Sequence, residues 1–198
     1  MTLRGDSNER LTILSDAEKT ALYGIPSFDD FQRIEFFAMT EAERSLALQR
    51  RGILKQVYCM LQIGYFKAKQ AFFQFSLDDV PPEDVTFLMQ RYFPGETLVV
   101  KPMSTKEYYA QRQEISALFE YRLWTANDLP VLRDKAKLLV RTDVTATFLL
   151  AELMVFLMAQ RIVRPGYSTL QTIIRDALSA ERDRLEKLVE AAITDAAR

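Results

Sequence analysis

Apolar residues recur along this chain at spacings of three and four, the signature of helices with one buried face. Leu54, Val57, Tyr58, Leu61 and Tyr65 form one such stripe. Leu170, Ile173, Ile174, Ala177 and Leu178 form a second, and Leu185, Leu188, Val189, Ala192 and Ile193 a third, with Glu181 interrupting the last two. Start signals agree with the stripes. Ser15 to Glu18, Thr40 to Glu43 and Ser104 to Glu107 each place a hydroxyl three residues before a glutamate. In that arrangement the two side chains satisfy free backbone N–H groups at a helix start. The pattern predicts helices at about 15–23, 28–37, 41–49, 53–67, 82–92, 105–123, 128–139, 144–162 and 169–196.

No run alternates strictly between apolar and polar. Leu98-Val99-Val100 is the one β-like stretch, and it lies between Pro94-Gly95 and Pro102, which suits an extended connection. The fold expected is therefore all-α, with two helical lobes at 1–95 and 104–198. The first would be a helical DNA-binding lobe and the second helix-turn-helix-like, joined by a short extended linker. The last helix runs nearly to Arg198 with no glycine or proline stop, as expected where a chain is cut inside a longer protein.

Composition alters this picture in two places. The 198 residues include no histidine, which removes the usual general base, the usual metal ligand and every Ser/His or Cys/His nucleophile. The single cysteine, Cys59, lies in an apolar run and reads as a buried, inert thiol of a cytoplasmic protein. The longest apolar run, Val144 to Met158, is interrupted by Glu152 and too short to cross a membrane. Asp29/Asp30 and Asp78/Asp79 could suggest metal, but adjacent helical residues diverge and both pairs sit near helix starts, where acids act as caps. No cofactor or metal is expected.

The net charge of −1 hides a strong segregation. Residues 1–43 and 78–98 are acidic, whereas residues 44–77 carry six bases and no acid. Local cation density, not the total, governs affinity for phosphates. Arg50, Arg51, Lys55, Lys67 and Lys69 of this segment could contact DNA, or could pair with the acidic amino-terminal lobe. Arg51 and Lys55 are four apart and would share an outward face. A second candidate is the turn Arg164-Pro165-Gly166-Tyr167-Ser168. Here Ser168 would cap a helix presenting Thr169, Gln171, Thr172 and Arg175 to a major groove, unless the unit is a plain helical hairpin. Arg133, Lys135, Lys137 and Arg141 form a third basic group. The aromatics Tyr65, Phe66, Phe72, Phe73 and Phe75 suit core packing better than base stacking.

Several stretches resemble the amino-terminal region of Tn-three-type bacterial transposases. They are Leu14-Ser15-Asp16-Ala17-Glu18 to Leu22-Tyr23-Gly24-Ile25-Pro26, then Phe36-Phe37 with Thr40 to Glu43, then Arg50-Arg51-Gly52 through Leu61 to Lys67, and Arg164-Pro165-Gly166-Tyr167-Ser168-Thr169-Leu170. The resemblance implies a helical module that binds the terminal inverted repeats. It also implies a partner in the remainder of the transposase, and a catalytic RNase-H-like core that lies outside this chain, so that no catalytic residue is carried over. The partner expected is double-stranded DNA, with a homodimer as a further possibility. A rival reading is an interaction or regulatory module for transposase assembly. An independent enzyme is disfavoured by the missing histidine, glycine-rich phosphate loop and metal-ligand cluster.

Overall fold

The computed structural model describes residues 11–100 and 104–196, with side chains to 194. Lys101 and Pro102, the end of the expected connection, and the last two residues lie outside the described part. Within it the chain is all-α, with nine helices and no strand. They are α1 (Asp16–Tyr23), α2 (Asp30–Phe37), α3 (Glu41–Leu48), α4 (Ile53–Lys69), α5 (Pro82–Tyr92), α6 (Thr105–Leu118), α7 (Leu129–Leu139), α8 (Ala146–Ala159) and α9 (Tyr167–Ala196). Short 3-10 turns occupy Leu77–Asp79 and Ala126–Asp128.

The starts follow the expected chemistry. At α1 the Glu18 carboxylate accepts from the Ser15 N–H at 2.8 Å, and Thr40 and Glu43 cap α3 reciprocally. At α2 the same reciprocal box is built from Asp29 and Gln32. Two ends differ from the pattern. α6 stops at Leu118, not 123, and α8 at Ala159, not 162. In each case a non-glycine residue just beyond the helix turns left-handed, Glu120 at φ 60° and Arg161 at φ 53°. The freed segments then meet: Arg122 N–H donates to Arg161 O and Val163 N–H to Arg122 O, both at 2.9 Å. Backbone pairing between distant segments has no helical periodicity to announce it.

The described residues form two compact units, one within 20–124 with 157–164, the other within 11–19, 125–156 and 165–196. α6 packs on α3 and α4, so helices on both sides of the Pro94–Pro102 connection share the first unit.

The first unit is organised around α4. Ten successive residues, Val57–Phe66, are buried, and α2, α3, α5 and α6 pack on them. Gly52 starts this helix at φ +90°, a conformation that side chains rarely adopt. Gly64 allows the closest approach: a Cβ there would lie 2.3 Å from the Phe37 ring, so α2 sits directly on the α4 backbone. The extended stretch after α4 is fixed by buried polar side chains. Tyr58 donates to Phe75 O, and Gln62 Nε2 to Phe73 O at 2.6 Å. Asp84 of α5, fully buried, accepts from Arg33 Nε of α2 at 2.8 Å and from the Tyr65 hydroxyl of α4 at 2.9 Å. Tyr65, Phe66, Phe73 and Phe75 are core residues, as expected, and Phe72 packs partly buried against them. Cys59 is buried, which pushes its thiol up to about 11.

In the second unit α7 packs on the first half of α9, whose Leu170, Ile173, Ile174 and Ala177 are buried. The Tyr167 hydroxyl accepts from the N–H groups of Ile13 and Leu14 at 3.2 and 3.3 Å. Among the described residues no helix is long and apolar enough to cross a membrane.

Candidate nucleic-acid interface

The acid-free segment is only partly an open basic surface, because acids and carbonyls from elsewhere in the chain come to meet it. Arg50, in the connection between α3 and α4, forms a two-pronged ion pair with Glu114 of α6, one contact being 3.3 Å. Lys55 pairs with Glu107 of the same helix, so it does not share a free outward face with Arg51. The Lys55 ammonium, with the Ser104 cap, holds the Glu107 carboxyl below its ordinary 4.5. Lys67 donates to Ala38 O at 2.8 Å and lies 3.4 Å from the buried Glu43 carboxylate. This is the expected pairing with the acidic amino-terminal stretch, made by one lysine.

Lys69 and Arg164 act on the end of α1. Lys69 Nζ donates to Ala21 O at 2.6 Å and to Gly24 O at 2.9 Å, and Arg164 donates to Leu22 O. Free carbonyls and the negative end of the dipole attract cations there. Arg164 also lies over the Tyr23 ring, 5.0 Å from its centre. Burial, with Arg164 close by, holds the Lys69 ammonium below its ordinary value, and burial does the same to Arg164. Of the five basic residues singled out between Arg50 and Lys69, Arg51 alone is exposed without an ion pair among the described residues.

Around the second candidate, α9 begins at Tyr167, two residues earlier than expected. Ser168 is consequently inside the first turn and does not cap it; its carbonyl accepts from the Thr172 hydroxyl at 2.9 Å. Ser168 is exposed and Thr169 half-buried. Gln171 is turned back to donate to Leu11 O. Arg175 is exposed but leans on the neighbouring Asp176 at 2.9 Å. The third group is likewise diluted: Lys137 pairs with Asp134 at 3.0 Å, Arg133 approaches Asp176 at 3.9 Å, and Lys135 lies over the Phe156 ring. Arg141 is exposed.

Two further cations stand open: Arg44, which begins the acid-free segment, and Arg91, which the pattern did not single out. Arg44 on α3 and Arg91 on α5 are exposed, and neither makes an ion pair among the described residues. Arg91 is the lone base among the five acids of residues 78–98, so segment charge argued against it. Its independence from those acids is a tertiary fact. No group of three His, Cys, Asp or Glu side chains is placed to hold a metal among the described residues.

No curated protein matches the chain. A family model does, over residues 13–177, which takes in every helix from α1 to the first third of α9. The chain belongs to the DUF4158 family, a domain of unknown function.

Proposed function

We propose that this chain is a non-catalytic, DNA-holding region of a transposase that grips the terminal inverted repeats. The DUF4158 domain is found at the amino terminus of Tn-three-family transposases. The observation that carries the reading is a group of exposed arginines without carboxylate partners among the described residues, which includes Arg44, Arg51 and Arg91 of the α4-centred unit. An arginine with no internal acid is available to phosphate oxygens, and most protein–DNA affinity comes from such contacts. The test is a fluorescence anisotropy titration of this chain on an inverted-repeat duplex and on scrambled duplex at moderate salt. Tighter binding to the repeat is expected. Equal binding would remove sequence recognition, and no binding would remove the DNA role.

One observation favours a second reading, an interaction module in transposase assembly. The far half of α9 exposes Leu185, Leu188, Val189 and Ile193 on one face. Apolar stripes of this kind mark protein contact more often than DNA contact.

A further inference from the structure

α3 and α5 each bring one arginine to the same tyrosine. The guanidinium carbon of Arg44 lies 6.0 Å from the centre of the Tyr92 ring, and that of Arg91 lies 5.8 Å from it. Arg91 is also 6.0 Å from the centre of the Phe87 ring, one helical turn earlier on α5. The ring itself cannot swing away. Its hydroxyl donates to Phe37 O, at the end of α2, at 2.8 Å and accepts from the Met39 N–H, in the connection to α3, at 2.9 Å. A tyrosine pinned at its polar end thus positions two exposed cations on its apolar body.

Arg112 and Arg161 of the same unit also lie over rings, but other arginines there are tied to acids. Arg33 is spent on Asp84 and Asp30, and Arg50 on Glu114. Arg44 and Arg91 are held by ring faces instead of carboxylates. A guanidinium on a ring keeps its full charge, and its N–H fork, which lies in its own plane, remains free to donate. The two heads are also close, within about 12 Å of one another, since both are near one ring centre. A duplex strand presents a phosphate roughly every 3.4 Å of its axis, so neighbouring phosphates of one strand fall within that span.

We propose that Arg44 and Arg91, set on Tyr92, form a clamp for the phosphates of one strand of duplex DNA; this rests on the DNA-holding reading above. The clamp contributes affinity and register, not sequence choice, because phosphates carry no base information. It also places the contact on α3 and α5, not on α4, whose cations the sequence pattern favoured.

The experiment uses the full chain, an inverted-repeat duplex and a scrambled duplex, titrated across a salt series. The double variant Arg44→Gln, Arg91→Gln keeps side-chain length and removes both charges. It should weaken binding to the two duplexes alike, and the slope of log affinity against log salt should fall by about two, one per lost phosphate contact. Phenylglyoxal labelling of the unmutated protein gives an independent readout that needs no variant to fold. Duplex DNA should protect Arg44 and Arg91 from modification. If the chain binds duplex DNA but the slope is unchanged and both arginines stay reactive, the clamp is overturned while the DNA reading stands. If it binds no duplex, both fall. If poly-glutamate protects the pair and DNA does not, the site is one for an acidic polypeptide and the clamp is equally overturned.

Discussion

α4 and α9 look alike as patterns, each an apolar stripe edged by charge, yet the protein treats them in opposite ways. α4 is enclosed, with ten successive buried residues and four helices packed on it. α9 is packed along its first half and then exposed, every residue from 182 to 194 facing solvent. Their charges follow the same division. Cations at the ends of α4 reach acids and carbonyls far away in sequence, Glu114, Glu107, Ala38 O and Ala21 O. Those of exposed α9 find partners within their own helix, Arg184 with Glu181 at 2.6 Å and Arg182 with Glu186 at 3.9 Å. A stretch of sequence without acids is therefore not yet a basic surface. Whether its charges stay free depends on which helices enclose it.

The enclosure of α4 is broken most severely at Asp84. Its carboxylate is fully buried, and burial pushes its pKa up while Arg33 and Tyr65 pull it down. The geometry, with Arg33 Nε at 2.8 Å and the Tyr65 hydroxyl at 2.9 Å, is that of an ionised group paired at both ends. Asp84→Ala strands the largely buried Arg33 guanidinium and the Tyr65 hydroxyl together. The expected loss is about 3–5 kcal/mol, a fall in Tm on the order of 10 °C, read by a thermal melt. A fall of only a degree or two would mean that α2, α4 and α5 hold together without this junction.

A smaller effect tests the tie between α4 and α6. Lys55 and Glu107 are each more than a third exposed, at 38% and 37%, so solvent screens their pair. Its contribution should stay below about 1 kcal/mol. The sign follows from Glu107, whose carboxyl is held below 4.5 in the folded chain. Stability from a lowered acid is fully present above the unfolded pKa and is lost as pH falls through the folded value. The chain and its Glu107→Gln variant should thus differ slightly at pH 7, and the difference should close only as the pH drops below 4.5. A difference that instead grew on acidification would mean that the pair is not what ties the helices.

Much of the helical frame is legible in the sequence, because caps and stripes are local. Thr40 with Glu43 and Ser15 with Glu18 mark starts that the structure places within a residue. Asp29 with Gln32 carries the same signal in a less familiar spelling, and the first helical residue proved to be Asp30. What escapes is whatever depends on pairing between segments. Glu107 and Glu114 lie over fifty residues from the cations they neutralise. Arg91 is left free by side chains that sequence proximity suggested would claim it. Ser168 looked like a cap because proline and glycine precede it, yet α9 starts a turn's fraction earlier, at Tyr167, whose hydroxyl is engaged by the backbone of Ile13 and Leu14.

The smallest expected effect lies on the open half of α9, and it decides whether that half is as bare as it looks. Leu188 is 53% exposed, on the face shared with Leu185, Val189 and Ile193. Replacing it with alanine removes a side chain that covers little, and alanine is the stronger helix former. In the chain as a monomer the change in stability should stay within about 0.5 kcal/mol. Folding would cost more only if something covers the stripe in solution. Deleting a buried leucine side chain typically costs about 2–5 kcal/mol, so the two situations are well separated. A second copy covering the stripe would also make Tm rise with protein concentration, because association stabilises by mass action. Melts of the chain and of Leu188→Ala at two concentrations separate the cases. Superimposable curves leave α9 the exposed counterpart of α4. A concentration-dependent Tm that the substitution abolishes would show that α9, too, has an enclosed face, supplied by another molecule.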